Sequence, residues 1–99
     1  MPRMDKLSSY KTTISATDDG RQQVIYEKTP IVVWDDKTIT LRSDGWETVT
    51  TKRKMNQTSN QFKLGFGVRQ QNFRWFVDLP SGGLALFEDG MTFDRETPQ

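Results

Sequence analysis

The sequence predicts an α+β fold: a small antiparallel β-sheet of about five strands, in the order β-β-α-β-β-β, with one helix packed on one face. Three observations predict it. Short runs rich in β-branched and aromatic residues, bounded by Asp, Gly and Pro, lie in both halves of the chain. Helical periodicity is confined to one stretch, from about Thr50 to Gly65. And 99 residues, a third of them hydrophobic, fill one core but not two, so 1–99 is read as a single domain.

Taken in order, Met1–Ser8 is weakly patterned and reads as a flexible arm, with flexibility expected over residues 1–10. Thr12–Ser15 forms a short strand that the turn residues Asp18-Asp19-Gly20 close onto Gln22–Tyr26. Pro30 leads into Ile31-Val32-Val33-Trp34, a β-branched run ended by Asp35-Asp36. Lys37–Arg42 alternates cleanly, with Ile39 and Leu41 inward and Thr38, Thr40 and Arg42 outward, so Ile31–Arg42 reads as a hairpin. Ser43-Asp44-Gly45 ends it.

Thr50 or Thr51 is the expected helix cap, because a threonine oxygen accepts from an unpaired amide of the first turn. On a 100° wheel, Met55, Thr58, Ser59 and Phe62 share one stripe. Arg53, Asn56, Gln57 and Asn60 lie opposite, flanked by Lys52 and Lys54. Gly65 suits the exit. Phe66–Gln70 and Phe73–Val77 then alternate around a Gln71-Asn72 turn. That register sets Val68 across from Trp75, and Arg69 across from Arg74 beside Phe76. Leu79–Gly83 is a turn, Leu84–Phe87 a strand, Glu88-Asp89-Gly90 another turn and Met91–Phe93 a short last pairing. The tail 94–99 is expected to be flexible.

Charge is segregated along this otherwise balanced chain. Between Thr48 and Val77 stand six cations (Lys52, Arg53, Lys54, Lys63, Arg69 and Arg74) and no carboxylate. The first 47 residues carry seven cations against eight acids, and the last 22 carry one against five. Three cations in a first helical turn oppose the helix dipole, so stability alone does not select them. Cations and hydroxyls beside the unpaired amides of a helix start suit phosphate, and Asn and Gln side chains are types that read base edges. The candidate nucleic-acid site is therefore Thr51, Lys52, Arg53, Lys54, Asn56, Gln57 and Asn60, extended by Arg69 and Arg74. The competing reading of the triplet is a solvated face or a protein-partner contact.

Two further features have double readings. Arg69 opposite Arg74 is unfavourable unless an anion or carboxylate intervenes, and Phe76 beside them would offer a base a stacking surface. Alternatively Phe76 packs over Gly67 and the arginines pair with Glu88 or Asp89. Among the tryptophans, Trp34 and Trp75 fit the core pattern. Trp46 is either a staple at the helix start or an exposed anchor.

Other chemistry is excluded by residue type. The chain contains neither cysteine nor histidine, which removes disulfides, thiolate zinc sites, His-based triads and imidazole acid–base catalysis. The acidic pairs Asp18-Asp19, Asp35-Asp36 and Glu88-Asp89 all fall in turns, where Asp bonds to backbone. No phosphate loop or nucleophile elbow is present, so no enzyme, cofactor or metal is expected. Nor is there an apolar run long enough for a membrane span or a signal peptide.

The segments Thr29–Val33, Ile39–Leu41, Gly45-Trp46, Thr50–Gln57 and Trp75–Val77 resemble a family of small tailed-bacteriophage proteins with no established activity. Their shared marks are a T-T-K-R-x-M-N-Q helix and a W-[FY]-V strand. The likeness runs from Thr29 to about Phe93 and leaves residues 1–28 outside. It implies a phage origin and a host-cytoplasm location, and no mechanism. The functional expectation is a non-enzymatic phage accessory protein binding DNA or RNA. The alternative is an inhibitor binding a host polymerase or defence complex. Oligomeric state is open, and an exposed apolar sheet face would argue for a dimer.

Overall fold

The computed structural model describes residues 11–45 and 48–95. Among these, eight strands and one helix occur in order: β1 (Thr12–Ala16), β2 (Gln22–Tyr26), β3 (Thr29–Trp34), β4 (Thr38–Leu41), α1 (Val49–Phe62), β5 (Gly67–Gln71), β6 (Arg74–Asp78), β7 (Leu84–Leu86) and β8 (Met91–Asp94). The α+β class holds, with the strands divided between two antiparallel sheets. One runs β1-β2-β3-β4-β8 and the other β5-β6-β7. The expected arm at residues 1–10, the role of Trp46 and residues 96–99 of the tail lie outside the described residues. Asp94, expected in the tail, pairs with Thr38 in β8.

The first sheet is explained by its alternation. Val24, Val32 and Leu41 are cross-strand neighbours, as are Trp34, Ile39 and Phe93. Together they make the inner face, on which Val24, Val32, Ile39 and Leu41 are wholly buried. The other face carries Thr40 and Thr92, whose hydroxyls bond at 2.8 Å, and Gln23, whose amide donates to Ser15 at 3.2 Å. The turns are held by their own acids. Asp35 Oδ1 accepts from the amides of Lys37 and Thr38, both at 2.8 Å, and these bonds hold its carboxyl below the usual range.

The strands divide into two sheets because the chain changes course between β7 and β8. The Phe87 amide donates to the Trp75 carbonyl at 3.0 Å, and the two rings pack at a 57° tilt with centres 5.3 Å apart, which ties the chain down beside β6. The Glu88-Asp89-Gly90 turn then redirects it. Asp89 accepts from the Ser43 amide at 3.0 Å, and Gly90 donates to the Leu41 carbonyl at 2.8 Å. So β8 completes the edge of β4 rather than extending β7. Val68, Trp75 and Val77 of the second sheet meet the first sheet's inner face and Met55 of the helix in one core.

The β5–β6 hairpin differs from its expected register. Its two-residue turn is Asn72-Phe73, not Gln71-Asn72, so Val68 faces Val77, and Arg69 faces Phe76 rather than Arg74. Alternation could not separate these registers, since both keep Val68, Trp75 and Val77 on one face. The turn chemistry does. Asn72 and Phe73 both have positive φ (53° and 66°), the form that matches strand twist in a two-residue hairpin, and Asn is favoured at its first central position.

Candidate nucleic-acid interface

Helix α1 is capped by Thr48, not by Thr50 or Thr51. The Thr48 hydroxyl accepts from the Thr51 amide at 3.2 Å and donates to the Thr51 hydroxyl at 3.1 Å. The Lys52 amide already donates to the Thr48 carbonyl at 3.0 Å. The cation triplet therefore starts after the first turn, too late to combine with the amides of the helix start as a phosphate cradle. At the other end Lys63, with φ 57°, takes the left-handed cap, and Leu64 donates back to the Ser59 carbonyl at 2.9 Å. Gly65, the expected exit, also has positive φ, two residues later.

The buried arc of the helix is wider than the apolar stripe suggested. Met55, Thr58 and Ser59 are buried as expected, and Phe62 is partly buried against Trp34, with ring centres 4.8 Å apart. Thr51, Lys54 and Gln57 are buried too. Lys54, 2% exposed, lays its ammonium 5.2 Å from the Tyr26 ring centre, and burial lowers its pKa. These three side chains are packed into the fold instead of being offered to a polymer. The reason is tertiary: α1 lies beside one sheet and against the other, so it has two buried flanks.

Asn56, expected on the polar face, joins the helix to β5. Its Nδ2 donates to the Val68 carbonyl at 2.9 Å, and its Oδ1 accepts from the Val68 amide at 2.8 Å. Ser59 does the same one step along, with its hydroxyl donating to the Phe66 carbonyl at 2.7 Å and accepting from the Phe66 amide at 3.0 Å. Two side chains thus satisfy an edge that would otherwise need another strand. The pairing Ser59–Phe66 and Asn56–Val68 also fixes direction, with helix and strand antiparallel. A further turn toward the helix start, roughly 5 Å, and two residues along β5, roughly 7 Å, bring Lys52 and Arg53 level with Gln70. The helix start and the hairpin tip share one end of the molecule.

At that end Arg53 is exposed and Lys52 half-buried, while Arg74, Gln71 and Phe73 are exposed on the hairpin. Arg69 and Arg74 occupy the outer face of the second sheet with Phe76, which sits between Arg69 and Leu86 in register. Arg69 pairs with Asp78, Nη2 to Oδ1 3.3 Å, a partner other than Glu88 or Asp89. Asn60 is exposed but lies two turns further along the helix, away from the tip. Phe73 is absent from the expected site residues, although it is 96% exposed. The sequence signal for it is Asn72, whose preference for the first central position of a two-residue turn puts Phe73 at the tip.

A separate pocket of about 480 Å³ lies near the helix start, between Tyr26, Thr29, Ile31 and Ser43 on one side and Thr48 and Thr50 on the other. The Ser43 hydroxyl is buried and has no hydrogen-bond partner among the described residues. Asp19, in the turn between β1 and β2, accepts from the Thr17 hydroxyl, which holds its pKa down, and its other partner is Arg21 at 3.2 Å. Among the described residues no helix is long and apolar enough to cross a membrane.

The Kyanoviridae Gp96 protein family model matches residues 2–94, so the kinship takes in residues 2–28, which the motif likeness left out. No curated protein and no solved structure matches the chain. With nearly its whole length matched, the chain belongs to the Kyanoviridae Gp96 family, a protein family of tailed cyanophages.

Proposed function

We propose that this phage protein is a non-enzymatic accessory factor that binds nucleic acid in the host cytoplasm. The contact surface is the end of the molecule formed by Lys52, Arg53, Arg69 and Arg74, with Gln71 and Phe76 beside them. The observation that carries this reading is the antiparallel docking of α1 on β5, which brings two separate cation groups of the sequence to one end. No carboxylate of residues 48–77 opposes them, and Asp78 engages only Arg69. Cations of this kind hold phosphates without reading sequence, so affinity is expected to fall with salt. Lys54, Asn56, Gln57 and Thr51 support the surface from within, and Asn60 stands apart from it.

The test is a titration of labelled single- and double-stranded oligonucleotides at low and near-physiological salt. A log–log slope of roughly −0.7 to −0.9 per phosphate neutralised is expected. The variant Lys52→Ala/Arg53→Ala/Arg74→Ala should lose most binding and keep its thermal stability. Lys54 is left out because its removal would disturb the core. Unchanged affinity in this variant would sink the reading.

One observation favours a protein partner instead. Leu84 and Leu86 stand 55% and 46% exposed on the open edge strand β7, an apolar strip suited to a host protein or a second copy. Capture of a host polymerase or defence complex that survives nuclease treatment and fails in Leu84→Ser/Leu86→Ser would support it.

A further inference from the structure

Six phenylalanines occur in the chain, and five are at least partly covered by the fold. Phe73 is the exception at 96% exposure. It also holds a backbone conformation, φ 66°, that an aromatic side chain rarely adopts and that glycine takes without strain. Stability alone would select Asn-Gly at this turn. A fully solvated ring in a strained position contributes nothing to the core, and such strain concentrates where a side chain has a function.

We propose that Phe73 stacks on a base of single-stranded nucleic acid. The surroundings of the ring select this ligand. Its neighbours in the turn and the flanking strand pair are Asn72, Gln71 and Arg74, all polar or cationic, and α1 brings Lys52 and Arg53 to the same end. The exposed leucines lie elsewhere: Leu86 pairs with Phe76 and Leu84 with Asp78, so β7 stops short of the tip. An aromatic anchor for a protein would be expected inside an apolar patch, whereas the ring's neighbours in the hairpin are polar or cationic and the exposed apolar side chain at this end is the single Val49 of the helix start, among the described residues. Bases of a duplex are covered by their own stack, so the ring acts on single strands, where any base offers a π-face.

The inference rests on the nucleic-acid reading above, and the two can fail separately. The full chain, Phe73→Gly, Phe73→Trp and the Lys52/Arg53/Arg74 triple variant are titrated with an oligothymidine of about 12 nucleotides and with a duplex of equal length. Phe73→Gly is expected to weaken single-strand binding about ten-fold or more. Duplex binding should change little. The same variant should melt several degrees higher, because glycine relieves the turn, and this shows that the loss is not misfolding. Phe73→Trp should keep single-strand affinity. If Phe73→Gly binds the single strand like the original while the triple variant does not, stacking is overturned and the nucleic-acid reading stands. If the original chain binds neither oligonucleotide at low salt, both are overturned.

Discussion

The two sheets are built to different standards of closure. In the five-stranded sheet, β3 is buried at Ile31, Val32, Val33 and Trp34, β4 at Ile39, Thr40 and Leu41, and β8 fills the edge that β4 would leave open. Its outer hydroxyls and amides pair with one another. The three-stranded sheet is closed on one face only. Val68, Trp75 and Val77 are buried, while Arg69, Arg74, Leu84 and Leu86 stay in solvent, and one edge is satisfied by two side chains of a helix. The difference teaches where to look for function. Each sheet leaves apolar groups exposed at an edge, Ile14 on β1 and Leu84 and Leu86 on β7, but on the three-stranded sheet they share a face with Arg69 and Arg74, a combination that folding does not explain.

Substitutions can break this contrast. The largest expected effect is in the closed sheet: Ile39→Ala should cost about 2–5 kcal/mol by denaturant unfolding. Leu86→Ala on the open sheet should stay within about 0.5 kcal/mol. Comparable losses at both sites would mean that the outer face of β7 is covered in solution. Next in size is Asn56→Ala, which removes two bonds and leaves the Val68 amide and carbonyl unmatched, at about 2 kcal/mol. A near-neutral result would show that water replaces the side chain and that the helix is not what closes β5. Hydrogen exchange at the Val68 amide reads the same point directly.

The smallest effect concerns Lys54. Its folded pKa lies below 10.5, so between the two values the unfolded chain binds more protons than the folded one. Stability should therefore rise as pH increases through that window, and the rise should vanish in Lys54→Met. A pH profile identical in the two proteins would mean that Lys54 keeps its charge as easily in the fold as in water.

Much of this is legible in the sequence. The strand runs, the inward Ile39 and Leu41, the single helix and the cation block are local properties, written in side-chain period and turn residues. The candidate site is legible only as a set of charges. Lys54 and Gln57 read as polar-face residues because a helical wheel assumes one buried side, and α1 has two. Asn56 reads as a base reader because nothing local reveals that it matches the spacing of a strand edge. Thr48 does not stand out as the cap because the threonines after it are equally good acceptors.

The sequence by itself determined the class of the fold, the segregation of charge and the absence of thiol and imidazole chemistry, since each depends on residue identity and short-range periodicity. The tertiary structure decided the split into two sheets, the register of the β5–β6 hairpin and which cations reach solvent. These depend on contacts between residues far apart in the chain: Asp89 with Ser43, Gly90 with Leu41, Asn56 with Val68. Hydrogen-bond partners at such separations are chosen by the whole packed core, and no local pattern encodes them.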